Sequence, residues 1–487
     1  MASPQGELRK IRLDKLNKLT EQQIEAFPSE VQRTHIISDA LNLNDQNVTI
    51  VGRITSLRSH GKIIFGDLSD SSGQMQVLFK SDGLGEQVFE NLNLLDIGDF
   101  LQTTGKVFVT NAGQTTVDVE DYKILAKSLL PIPSEYYGLA DVETRLRKRY
   151  LDILTNPDVK EIFVKKNKFW SSLREFLVQK DFLEVEMPIL ENIPGGAEAE
   201  PFVTHHNALD RDFYLRISLE LPLKKMLVAG YEKVFEIGRI FRNEGIDSEH
   251  LQDYTQMEFY WAYGDFDKLM DLTCEMYQFV IEKTFGTLKF ERDGVIVDWS
   301  GKWPKLDYVE LFNKHTGLDL LNASDEALFN YATVNKIKYD KSASRGRIID
   351  LIFKKKIRIL PEVSTQPAFL VNPPVEIEPL AKKNSKNPKT VQRMQILAFG
   401  SELGKGFGEL NDPIDQRVRF ENQMKLREQG DKEAQMIDEE YIEAMEYGMP
   451  PSAGFGVSER LFSVLVGLPI RETVIFPLMK EANNEKK

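Results

Sequence analysis

The residues best equipped for chemistry concentrate in the stretch Val234–Tyr263, VFEIGRIFRNEGIDSEHLQDYTQMEFYWAY. Alternating runs at Val234–Phe241 and Thr255–Tyr263 flank a polar loop, a pattern that predicts two antiparallel strands joined by a long hairpin loop. Alternation puts Glu258 and Tyr260 on one face of the second strand. Arg242 and Glu244 stand where the first strand enters the loop. A guanidinium binds planar anions through two parallel hydrogen bonds, and carboxylates hold amines or metal ions. This edge therefore suits a phosphorylated or carboxylated substrate. A surface hairpin with solvated charges would use the same letters.

A second chemical stretch lies at 366–413, where MQILAFGSELGKGFGELND carries Glu402, Phe407 and Glu409. Gly404, Gly406 and Gly408 mimic a phosphate loop, but no Ser/Thr or helix follows. They fit better as a strand in which small residues leave room for a substrate and Phe407 and Glu409 share a face. Gly195-Gly196-Ala197 permits close backbone approach to a ligand. Residues 207–230 read as a strand followed by a helix, with Glu220 at the turn. His205 and His206 are adjacent on a strand, point to opposite faces and make a poor metal pair. No Ser/His or Cys/His arrangement is evident.

Elements must position these groups. Residues 1–45 have helical spacing (Leu8, Ile11, Leu16, Leu19, Ile24), with Arg9, Lys10, Arg12, Lys15 and Lys18 on the polar side. That face is either solvated or a phosphate-contacting lead into the next domain. Residues 46–130 carry five short strands with Gly-bearing turns, the pattern of an OB-fold β-barrel. Arg53, Arg58, Phe65 and Gln76 are placed there to stack and pair single-stranded bases. A Pro-stiffened linker spans 131–155. A catalytic domain of α+β class, an antiparallel sheet flanked by helices, fills 156–487. It contains DFLEVEMPIL (181–190), a short strand ending at Pro188, and a region without catalytic signals at about 264–365. The run Lys354–Arg358 is basic, as a solvated helix end would also be. Residues 413–447 form a charged helix pair, and GFGVSERLFSVLVGLPIRETVIFP is a Gly-rich strand followed by a helix. At 487 residues, length fits about two to four domains. A net charge of −13 argues against indiscriminate nucleic-acid binding but leaves room for a local basic patch. One cysteine, Cys274, excludes a disulfide framework and a Cys-based zinc site, and suits a cytoplasmic setting. No apolar run is long enough to span a bilayer.

FRNEG, a long loop and TQMEFYWAY together resemble motif 2 of the class II aminoacyl-tRNA synthetases. The surrounding GGAEAEPFVTHHNALDRDFYLRISLELPLKKMLVAGYEKVFEIGRIFRNEG resembles the lysyl branch. The resemblance covers nearly the whole chain. It implies adenylate formation from L-lysine and ATP with Mg²⁺, then transfer to tRNA(Lys), in a cytoplasmic homodimer whose interface is built by the 181–190 segment. On this resemblance Arg242 bridges the amino-acid carboxylate and the α-phosphate, and Arg460, in the motif 3 segment, holds the γ-phosphate end and lies over the adenine. Tyr254 stacks on its other face, Glu244 and His250 belong to the ATP loop, and Glu402 binds Mg²⁺. Gly196 and Glu220 meet the α-amino group. Lysine's ε-ammonium, taken out of water, needs compensating carboxylates. Glu258 and Glu409 supply them, with Tyr260 as a further oxygen partner. Phe407 and Lys405 fall in the same amino-acid pocket. Arg58, Phe65 and Gln76 match anticodon contacts, and Asp121, with Glu120 adjacent, stands at the family's glutamate position.

Several positions depart from the family pattern. Glu249 adds a negative charge to the ATP loop, Glu200 replaces an arginine, Glu459 replaces an aspartate, and motif 3 is one residue shorter. Gln395 stands where a second Mg²⁺ carboxylate is usual, and Lys405 where an asparagine is. Two readings of Lys405 stay open. Its cation replaces one Mg²⁺ beside the triphosphate, or it occupies the lysine pocket and pairs with Glu409 or Glu402. Besides a lysine–tRNA ligase, the chain is compatible with a relative of altered amino-acid or acceptor specificity, or with a non-catalytic tRNA-binding protein.

Overall fold

A computed structural model describes residues 4–133, 141–245, 250–340, 343–431 and 433–480. The chain divides into two compact units, Met1–Arg145 and Leu146–Lys487.

In the first unit, β1 (Asn47–His60), β2 (Ile63–Ser69), β3 (Gln74–Lys80), β4 (Phe100–Val109) and β5 (Thr115–Ala126) close a barrel in the order β1-β2-β3-β5-β4. Inward positions such as Ile54, Leu68, Val77, Leu101 and Val117 form its core. The helical reading of 1–45 holds for Pro4–Glu21 and the single turn Ile37–Ala40, but residues 22–36 are not helical. The polar face of the first helix is also less free than the sequence suggests. The Arg12 guanidinium donates to the carbonyls of Ile97, Ser128 and Leu130, and Lys15 pairs with Asp96. Those two cations clamp the helix to the barrel, leaving Arg9, Lys10 and Lys18 in solvent.

The second unit is organised by an eight-stranded sheet. Its order is Lys305–Asp307, Ala368–Val371, Arg393–Ala398, Ser401–Gly408, Ser452–Ser458, Asp253–Ala262, Lys233–Phe241 and Leu183–Glu184. Neighbours are antiparallel except for the outermost pair at each end. The predicted 181–190 strand is two short pieces, Leu183–Glu184 and Leu190–Glu191. The second joins a separate three-stranded sheet that carries His205 and His206.

Period-2 alternation decides what each sheet face does. Met257, Phe259, Phe455, Val457 and Met394 point to one side, where they pack with Phe169, Phe176, Tyr277 and Val280 from the helices Pro157–Gln179 and Phe266–Phe285. Each fully buried large apolar side chain of this kind contributes about 1.5–3 kcal/mol. The alternate residues Gln256, Glu258 and Tyr260 face the other way, into a cavity. A one-residue slip would exchange the two sets, so the aromatic core fixes which side chains reach the site.

Candidate active site

The cavity holds about 770 Å³. Its floor is the Asp253–Ala262 strand, whose Glu258 and Tyr260 stand opposite Gly456 and Gly454 of the next strand. The glycines are what make the space. A Cβ on Gly454 would collide with the Tyr260 ring and Glu409 Oε1, and one on Gly456 would press on Glu258 at 3.2 Å. Glu258 is buried and fully engaged. Its Oε1 accepts from Ser218 Oγ at 2.8 Å, the Leu219 amide at 3.1 Å and Gln256 Nε2, and its Oε2 accepts from Tyr260 OH at 2.8 Å.

Glu409, 1% exposed, sits at the buried end of the cavity with its Oε1 beside Gly454, where a Cβ would meet it, and its Oε2 turned inward. The cause is Lys224, on the helix Glu220–Val228 and fully buried. Its Nζ pairs with Glu220 Oε1 at 2.5 Å and with Glu409 Oε2. Glu409 Oε1 has no hydrogen-bond partner. Burial pushes the Glu409 carboxyl up to about 8; Lys224 opposes that, while Glu220 and Glu258 add to it. Burial also raises Glu220, against the pull of Lys224. For Lys224 itself burial favours the neutral amine, but Glu220 and Glu409 outweigh it and keep the ammonium charged.

At the other end, Arg242 donates through Nε to the Ile217 carbonyl at 3.2 Å, and its amide bonds the Gln252 carbonyl at 2.7 Å, closing the hairpin loop. The guanidinium carbon lies 5.7 Å from the centre of the Tyr254 ring. Glu244, His250, Tyr254 and Arg460 line the cavity with it, as do Gly196, Glu220 and Phe407. Glu249 lies outside the described residues. Glu402 also lines this end. Burial alone would raise its carboxyl, but Lys354, Arg358, Arg393 and Arg460 bring it down to about 2. Gln395, its companion on the neighbouring strand, accepts from Arg393.

Lys405 settles on neither Glu409 nor Glu402. Its Nζ is 3.4 Å from both oxygens of Glu378, a buried carboxylate also paired with Arg393 Nε at 3.0 Å. Lys405 and Gln395 face each other across two strands, so the side chain leaves Glu402 on the far side of the bulge between them. Glu198, from the Gly-rich loop, is pushed up to about 7 by burial and by Glu378, with Lys405 and Arg347 opposing.

One wall comes from the region read as lacking catalytic signals. The helix Arg345–Ile352 runs into a π-helical turn, Phe353–Ile357, which brings Lys354, Lys355 and Arg358 to the cavity, with Arg358 3.2 Å from Glu402. π-Turns are rare and recur at functional sites. The letters KKKIR gave the charge, but not that it faces inward. Lys224 was also missed, although a Glu–Lys pair at i,i+4 (Glu220, Lys224) was a readable signal. Ser218, Gln256 and Glu378 carry no signal that separates them from ordinary polar positions. His205 pairs with Asp212 at 2.9 Å, and the described residues contain no cluster of three or more His, Cys, Asp or Glu fit to hold a metal.

In the barrel, Arg58 and Phe65 are cross-strand partners, and Gln76 pairs with Asp67 on the next strand. Phe65 is half-buried, between the buried Ile64 and Gly66, and is not a core side chain. Arg58 is tied to Asp67 at 3.2 Å, and Gln76 accepts from Thr116 Oγ1 at 2.9 Å. Asp121 is exposed but stands past the end of the β3–β5 ladder, where its partner is Thr104 of β4.

An OB-fold barrel and a mostly antiparallel sheet bearing an arginine-and-carboxylate cavity are the parts of a class II tRNA synthetase. The family model described as "tRNA synthetases class II (D, K and N)" matches residues 141–480, and that of the OB-fold nucleic acid binding domain matches 48–125. Curated relatives named "Lysine--tRNA ligase" align over nearly the full length. That of Pelotomaculum thermopropionicum is 43% identical over 98% of this chain and 95% of its own. That of Thermoanaerobacter pseudethanolicus is 42% identical over 98% and 97%, and that of Bacillus subtilis 40% identical over 97% of each. The chain belongs to the class II tRNA synthetases, in their lysyl-tRNA synthetase family.

Proposed function

We propose that this chain attaches L-lysine to tRNA(Lys) in two steps. The lysine carboxylate attacks the α-phosphate of ATP, giving lysyl-adenylate and pyrophosphate; a ribose hydroxyl at the tRNA 3′ end then takes the lysyl group. Such transfers depend on positioning and charge neutralisation rather than on a protein nucleophile. Arg242 holds the carboxylate against the α-phosphate. Tyr254 and Arg460 enclose the adenine, Arg460 reaches the γ-phosphate end, and Glu244 and His250 complete the nucleotide loop. Gly196 and Glu220 receive the α-ammonium. Tyr260, Phe407 and Glu409 receive the side chain, and Glu258 holds Tyr260 and Ser218 in place through the bonds described above.

The observation that carries the amino-acid choice is Glu409 Oε1. A buried carboxylate oxygen without a donor is costly, and a lysine ε-ammonium supplies the missing one. Glu402, held ionised and facing the cavity, would hold one Mg²⁺. Gln395, already bonded to Arg393, adds no second carboxylate. A bound ion there would offset triphosphate charge, alongside Lys354 and Arg358.

Arg58, Phe65 and Gln76 form the anticodon platform, with Asp121 at its margin. The described residues include no helix long and apolar enough to cross a membrane, and the free Cys274 suits a reducing cytoplasm. Exposed Leu183, Ile189 and Leu190 support a homodimer through the 181–190 segment. ATP–pyrophosphate exchange measured across the amino acids tests the reading. Lysine-dependent exchange is expected; exchange with another amino acid, or none, refutes it.

A further inference from the structure

Three carboxylates, Glu220, Glu258 and Glu409, converge at the buried end of the cavity, and one ammonium, Lys224, sits among them. Lys224 Nζ is 5.7 Å from the centre of the Tyr260 ring, so the aromatic face also bears on it. Lys224 does not line the cavity. With all groups ionised, three negative charges less one positive leave two. A diamino acid brings two ammonium groups, and its carboxylate is met separately by Arg242. Buried charge is tolerated only when matched, so this count bears directly on which ligand fits.

We propose that Lys224 is a positioning and specificity-determining residue: it cancels one of three carboxylates, so that the pocket's charge matches two ligand ammoniums, and it holds Glu409 with Oε1 turned toward Gly454. The inference rests on the lysine reading of the site and deepens it. Lys224 acts through Glu220 and Glu409. A hydrophobic residue in its place would leave one carboxylate in excess, and a pocket with Lys224 but without Glu409 would hold one negative charge for two ammoniums.

The charge count makes a prediction that a purely structural role does not. In calorimetric titrations of the full-length protein with L-lysine, Glu409→Gln weakens binding roughly 30-fold or more, the usual range for truncating one side of a buried charged contact. Adding Lys224→Met to Glu409→Gln restores the count of two and regains about tenfold of that loss, the scale of one matched buried charge. If Lys224 served only packing, the double variant would bind lysine more weakly than Glu409→Gln alone, and that result overturns the proposal. ATP affinity, unchanged in every variant, shows that each is folded. Should the double variant melt below the assay temperature, Lys224→Gln/Glu409→Gln has the same charge count and carries the same prediction. Wild-type protein that binds ATP but not L-lysine would sink the functional reading, and this inference with it; wild-type lysine binding without the rescue sinks the Lys224 assignment alone.

Discussion

Lysine binding to this protein should be coupled to proton release. Without ligand, Glu409 is faced by Lys224 and Glu220 from one helix, by Glu258 and Tyr260 from the floor strand and by Tyr441 from the helix Glu439–Glu446. Burial first, and then the neighbouring Glu220 and Glu258, outweigh the one cation and leave the carboxyl near 8. An ammonium requires the ionised form, so below that value each bound lysine must expel a proton. Each pH unit below the pKa costs a factor of ten. The ionised fraction is then about a tenth at pH 7 and about a hundredth at pH 6. Lysine affinity should therefore rise about 50-fold between pH 6 and 8 and level off above that, while the ligand's ε-ammonium, titrating near 10.4, stays charged throughout. Calorimetry at pH 7 in buffers of different ionisation enthalpy should report close to one proton released per lysine, by the same ratio. A dissociation constant flat from pH 6 to 8.5 with no proton released would refute the assignment of Glu409 as an electrically crowded carboxyl.

Other substitutions test separate parts of the site. Gly454→Ala drives a methyl into the Tyr260 ring and Glu409 Oε1; it should raise the KM for lysine at least tenfold and leave ATP affinity within about twofold, since overpacking costs roughly 1–3 kcal/mol locally. An unchanged lysine KM would show that this end of the cavity is not used. Phe65→Ala should weaken tRNA(Lys) binding by about 1–3 kcal/mol, the value of one stacked base, with lysine-dependent pyrophosphate exchange intact; equal tRNA affinity in a filter-binding assay removes Phe65 from the platform. Lys405→Asn takes away a cation that lines the cavity and should raise the Mg²⁺ concentration needed for half-maximal adenylate formation several-fold, in line with the modest value of one half-exposed charge. Identical Mg²⁺ curves for the two proteins would end the idea that this lysine stands in for a metal ion.

Much of this arrangement was legible in the letters, and the reasons it was legible are local. Alternation alone assigned Glu258 and Tyr260 to one strand face, and the hairpin arms fell at Lys233–Phe241 and Asp253–Ala262. What escaped were relations between elements distant in sequence. Lys224 reads as one more cation on an amphipathic helix until the fold places Glu409 beside it. The basic run at 354–358 looks solvated until a π-turn rotates it inward. Lys405 could be weighed against Glu409 and Glu402, yet its partner is Glu378, which contributes nothing to any motif. Periodicity fixes a residue's face; only packing fixes what it meets there.

The glycines at 404, 406 and 408 have a consequence for anyone scanning this protein by mutation. A methyl at Gly404 would strike the Phe455 ring and the Tyr277 hydroxyl; at Gly406 it would meet the Gly454 carbonyl; at Gly408 it would run into the Gln392 side chain. Alanine at Gly404 or Gly406 would therefore cost activity by pushing the packed Phe455 ring or the neighbouring strand aside, and at Gly408 by displacing the Gln392 side chain, with the reacting groups themselves untouched. Loss of activity there would look like damage to a nucleotide loop while reporting a fault in the masonry, and a melting curve run beside the activity assay separates the two.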